Sequence, residues 1–232
     1  MSPRSILIAS VCAIAVTVSV AAQQKSPIPL PNVNNPQITT LEDQYVRVAY
    51  NNEGYVILGY RLTQQLQGKE WVRIEMGTTL REGKPRYSLK RSDITLDTPD
   101  NKHLSLPTNA EFQNVDLRAI ENQARVINDS INYFPPTVRG SQPLSFFAEP
   151  MGGQRAYDNV DIDPTRSVVG RLYFKIPGGL QFGQHFLNVQ FATSKVRVPF
   201  RIFTKDEEKV IKKEWKDIKK QVEDAFKKGG GK

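Results

Sequence analysis

Cysteine is almost missing from this chain. Its 232 residues include one, Cys12, which lies inside an apolar N-terminal run. If that run is removed, no disulfide, thiol nucleophile or thiolate metal site remains. Histidine is scarce too, with only His103 and His185. The sequence contains no Gly-x-Ser-x-Gly, no His-Glu-x-x-His, and neither glycine-rich pattern that cradles phosphates. A Ser-His-Asp site would have to be built around one of two isolated histidines, and nothing singles out a carboxylate pair suited to glycoside hydrolysis. The sequence therefore argues against an enzyme and implies no cofactor.

Long hydrophobic runs are absent after residue 22. Before it, Arg4 supplies a positive start, Ile6 to Val20 is uncharged and mostly apolar, and Val20-Ala21-Ala22 offers small residues for cleavage. This is the pattern of a secretory signal peptide over residues 1–22. Ser10, Thr17 and Ser19 dilute the run, which is short for a membrane span. The expectation is a periplasmic or secreted protein, cleaved near Ala22. Cys12 sits too early, behind Val11, to be a lipidation site.

Charge is modest. The formal net charge is +8, and losing Arg4 leaves +7. Ten lysines and seven acidic residues fall within 205–232, so +3 belongs to the tail. Mild basicity suits anionic surfaces. It lacks the dense Arg/Lys stripe of a nucleic-acid binder, so no nucleic-acid partner is expected.

Residues 23–40 form a proline- and asparagine-rich leader, with Pro27, Pro29, Pro31 and Pro36 withholding amide donors. From 41 to 203 the pattern is mainly β. Tyr45–Tyr50 and Tyr55–Leu62 flank the turn cluster Asn51–Gly54 and read as a hairpin. Four tyrosines, 45, 50, 55 and 60, crowd it, which fits core and cross-strand packing better than a binding face. Trp71–Met76 alternates apolar and charged residues, as a strand with one wet face would. Short strands follow at Arg86–Leu89, Ile94–Leu96 and Leu144–Phe147. The clearest strands are Val168–Pro177, His185–Ala192 and Val196–Phe203, the last two paired as a hairpin. Pro199 should place its strand at an edge or a bulge.

Two segments read as helical. Thr108 and Glu111 have capping-box spacing, and the apolar positions Phe112, Val115, Ala119, Ile120, Ala124 and Ile127 suggest one helix or two short ones near 109–128. Thr204 and Glu207 repeat the box before residues 204–228. There Ile211, Trp215, Ile218, Val222 and Phe226 mark one side of a long amphipathic helix. These five are the candidate partner-binding residues. The helix either docks on the body, recruits a partner, or lies on a membrane surface. Asp158, Asp161 and Asp163 form a compact acidic cluster. They are weak calcium candidates, lacking the glycine and closing glutamate of an EF-hand.

Gly170-Arg171-Leu172-Tyr173-Phe174-Lys175-Ile176-Pro177, followed by the alternating strand from His185, resembles immunoglobulin-like sandwiches of uncharacterised bacterial exported proteins. The likeness covers Gly170 to Phe203. It implies an immunoglobulin-like β-sandwich with a helical insert and a C-terminal helix, and it carries no catalytic residue. Taken together, the sequence points to a non-catalytic binding or scaffolding protein of the bacterial cell envelope with a protein or glycan partner. The alternatives are an envelope-polymer hydrolase, or peripheral membrane association through the C-terminal helix.

Overall fold

β-Branched and aromatic runs become strands where their alternation lets at least one side reach an apolar core. The computed structural model describes residues 37–41, 45–148 and 155–229, with side chains described for 45–148, 155–217 and 220. All belong to one compact unit. The signal sequence and most of the leader lie outside the described residues. Strands take up 40% of the chain and helices 20%, so the protein is mainly β.

The largest sheet contains β1 (Gln37–Leu41), β2 (Val46–Tyr50), β3 (Gly54–Gly59), β4 (Trp71–Leu80), β10 (Arg166–Lys175) and β8 (Gly140–Pro143), in that spatial order. Every neighbouring pair is antiparallel except β10 and β8. A second sheet runs β12 (Lys195–Ile202), β11 (Gly183–Gln190), β6 (Ile94–Asp97) and β7 (His103–Ser105). β5 (Tyr87–Lys90) and β9 (Asn159–Ile162) form a separate ribbon. The hairpin of β11 and β12 forms as the alternation predicts, with Leu187 opposite Val198. Pro199 lies on β12, an edge strand, where a missing amide donor costs least.

One apolar cluster joins the two larger sheets. Val56, Leu58, Ile74, Met76, Leu172 and Phe174 from the first meet Ile94, Leu96, Leu187, Val198 and Phe200 from the second. Both halves of the chain therefore share a core. Two turns clip the sheets together at one end. The Glu53 carboxylate accepts from the Thr193 amide and hydroxyl and from the Ser194 hydroxyl, at 2.6–3.2 Å. Burial pushes the Glu53 carboxyl up, but these hydrogen bonds outweigh it and hold it below its ordinary value.

The structure changes several expectations. The strand begun at Tyr55 ends at Gly59, and Arg61–Gln65 forms a short helix, α1. The Asp129 carboxylate lies over Gly59 and accepts from the Arg61 amide and Nε, turning the chain out of the sheet. Leu144–Phe147 is not a strand. The paired residues are Gly140–Pro143, and the next four, all buried, turn out of the sheet. The leader's last residues join the sheet, because β1 starts at Gln37. β7 and β9 had no counterpart in the sequence reading.

The most instructive change concerns β4. Its charged side is not wet. Arg73 is only 8% exposed. The insert covers it as two short helices, α2 (Asn109–Gln113) and α3 (Arg118–Ala124), followed by an irregular strap. The Thr108–Glu111 capping box forms at the start of α2. Ala119, expected on the apolar stripe, is exposed, while Leu117 is buried. Ile131 of the strap joins Val46, Val48 and Ile57 in a second apolar cluster, flanked by Tyr133 and Phe134. A Cβ on Gly77 would stand 2.6 Å from Phe134 Cζ, and one on Gly59 2.7 Å from Asp129 Cβ. The strap seats where the sheet carries no side chain.

Candidate functional site

The strongest candidate site lies between α1 and the C-terminal helix, α4 (Lys205–Gly229). Its geometry starts at the end of β12. Gln64 of α1 clasps the Phe203 backbone in both directions, donating from Nε2 to the carbonyl at 2.8 Å and accepting the amide at 2.9 Å. Gln67 donates to the same carbonyl at 3.0 Å. The chain then enters α4 through a capping box. The Thr204 amide donates to Glu207 at 2.9 Å, and the Glu207 amide donates to Thr204 Oγ1 at 3.3 Å. Arg201 donates to Glu207 at 2.5 Å, and the Tyr45 hydroxyl donates to Glu208 at 2.9 Å. Ile211 packs against the main core. The first two turns of α4 are thereby fixed to the body.

Beyond Ile211 the helix and the body bound a groove of about 1230 Å³. Trp215 lines it, half-buried, together with Tyr45 and the three glutamines 64, 65 and 67. The lining also includes Arg61 and five lysines, 205, 212, 213, 216 and 220, against two acids, Glu208 and Asp217. One of the acids and two of the cations are already engaged. Lys212 pairs with Glu208 at 2.7 Å, and Arg61 pairs with Asp129 at 3.0 Å while lying over the Tyr45 ring. The hydrogen bond from Lys212 holds the Glu208 carboxyl below its ordinary value, against burial. Burial and the bond to Glu208 push the Tyr45 hydroxyl well up. The groove therefore presents more positive than negative charge beside an aromatic ring and side-chain amides.

Of the five helix residues singled out by periodicity, Ile211 and Trp215 are placed here in different roles, one on the core and one in the groove. The side chains of Ile218, Val222 and Phe226 lie outside the described residues. The opposite wall was not read from the sequence as part of a site. Its signal was the polar run Gln64-Gln65-Leu66-Gln67 directly after a strand. No helix among the described residues is long and apolar enough to cross a membrane.

The other sequence candidates are dispersed or structural. Asp158 faces Arg91 at 3.7 Å and Asp161 faces Arg86 at 3.8 Å. Asp163 accepts from the Thr165 amide and hydroxyl and from Arg166. Burial raises the Asp163 carboxyl, but those hydrogen bonds together bring it down to about 2. Among the described residues no group of three or more His, Cys, Asp or Glu side chains could hold a metal ion. His103 is exposed and pairs with Asp97 at 2.6 Å. His185 is fully buried and stacked on Phe200, and burial lowers its pKa, which favours the neutral ring.

One carboxylate pair does come together, under the insert. Arg73 lies 2.9 Å from Glu75 and 3.4 Å from Glu121. Glu121 also accepts from Arg171 at 2.6 Å and from the Tyr173 hydroxyl at 2.5 Å. Burial raises the Glu75 carboxyl despite Arg73 beside it. Glu121 is a ligand of three sheet residues, and this network fastens α3 to the sheet. A scan against protein-family models, a search of curated proteins and a search of solved structures each returned no match.

Proposed function

We propose that the protein is an exported, non-catalytic binding or scaffolding protein of the bacterial cell envelope. In this reading it is an immunoglobulin-like β-sandwich with a helical insert and a long C-terminal amphipathic helix, and its binding surface is the groove between α1 and α4. The observation that supports the reading is the groove's lining, which combines lysines, amides and an aromatic ring. Arg4, the apolar run to Val20 and Val20-Ala21-Ala22 support export. Capture of an envelope component by residues 23–232, lost on Lys213→Glu with Lys216→Glu, is the expected result. Equal capture by both proteins would remove the groove from the function.

A second reading is peripheral membrane association through α4. Its lysines favour it, whereas the acidic residues of the same helix oppose adsorption to anionic lipid. Salt-sensitive binding to vesicles, abolished by the same lysine substitutions, is what that reading requires.

A further inference from the structure

We infer that the groove takes a chain of carboxylated sugars, an inference that rests on the binding reading above. The charge of the lining is complementary to an anion, with six cations against two acids; Lys212 is already paired with Glu208 and Arg61 with Asp129, which leaves Lys205, Lys213, Lys216 and Lys220 against Asp217. The remaining cations are lysines. Arginine is favoured where planar, bidentate recognition fixes one phosphate or carboxylate. Lysines along a groove instead suit anions that repeat along a polymer without one fixed register.

The other lining groups narrow the polymer. Trp215 is half-buried at the groove wall and offers an amphipathic ring surface to the apolar face of a sugar. Gln65 is exposed beside it and can donate and accept, as hydroxyl groups require. Tyr45 is 4% exposed, with Tyr60 edge-on at 5.5 Å and Arg61 across its ring, so it offers no second stacking face. A run of bases on successive aromatic platforms therefore fits poorly. A peptide that adds itself as a strand needs a sheet edge, and acidic motifs are read by arginine clusters, whereas the walls here are α1, its following loop and a lysine-bearing α4. A membrane contact would need these cations on a convex face around an apolar stripe. Here they line a concavity that Trp215 shares.

The test is titration of residues 23–232 with polygalacturonate and alginate oligomers. Neutral dextran, poly-glutamate, oligothymidylate and phosphatidylglycerol vesicles are run alongside, read by calorimetry and tryptophan fluorescence. Binding of a carboxylated oligosaccharide is expected, weakening with salt and about tenfold weaker in Trp215→Ala. Lys213→Gln with Lys216→Gln should weaken it as well and flatten its salt dependence. Circular dichroism of both variants checks that the fold is intact. Failure of both uronate polymers to bind overturns the inference, as does equal or tighter binding of dextran, poly-glutamate, oligothymidylate or vesicles. If the uronates fail while an envelope component is still captured through Lys213 and Lys216, the glycan assignment falls and the binding reading stands.

Discussion

The two faces of the six-stranded sheet are buried by different means. Toward the second sheet, Ile74, Met76, Leu172 and Phe174 close an apolar core. On the reverse, the neighbouring positions Arg73, Glu75, Arg171 and Tyr173 are covered by an insert that meets them with a carboxylate, Glu121. Apolar burial tolerates small shifts because it is non-directional. Ionic burial does not, because a buried charge that loses its partner keeps its desolvation cost. The first face holds the fold together. The second fixes where one particular segment lies.

That contrast can be broken from either side. Phe174→Ala empties a fully buried site on the inner face and should cost about 3–5 kcal/mol in urea denaturation. Glu121→Gln should cost about 3 kcal/mol, because Arg73 stays buried and Arg171 half-buried with one carboxylate fewer. Adding Arg73→Met should recover part of that loss, and strictly additive losses would show that the two groups do not act as a pair. Gly77→Ala pushes a methyl into Phe134 and should cost about 1–3 kcal/mol, reduced when Phe134→Ala is present.

The outer face should also respond to pH. Glu75 is raised in the folded state above its ordinary 4.5, so the folded protein holds that proton more tightly than the unfolded chain. The stability it contributes is present below that value and is lost as pH rises through the folded pKa. Glu75→Gln should remove this decline, measured as a smaller difference between unfolding at pH 4.5 and at pH 7. The smallest effect belongs to neither face. Trp215→Ala should change stability by no more than about 0.5 kcal/mol, since its ring lines the groove and is not among the core residues. A loss of several kcal/mol would mean that α4 is held to the body through that ring.

The sequence shows which side of a strand is apolar, but it does not show whether the other side is dry. This is why Arg73 and Glu75 read as solvated: Glu121, which pairs with Arg73, lies on a distant helix, and no local spacing links it to them. The capping boxes at Thr108 and Thr204 were legible because both partners sit within one turn. The last strand, β12, was legible because an edge position and a single buried side leave its alternation clean. The groove was only half legible. One wall is a periodic helix, and the other is a glutamine-rich bend whose placement depends on the Gln64 clasp around Phe203. Leu144–Phe147 misled because a buried apolar run looks the same whether it is extended or turning.

The middle of the larger sheet brings together parts of the chain made far apart in time. β4 pairs on one side with β3, its near neighbour in sequence, and on the other with β10, where Ile74 meets Leu172. A chain emerging N-terminus first can assemble β1 to β4 early, but the open flank of β4 has no partner until residue 175 has followed. Long-range pairing of this kind folds slowly, since a large loop must close before any contact rewards it. Until then the unpaired flank of β4 is a site where another chain could add itself. Delay of β10 is therefore the step at which this protein is most open to aggregation.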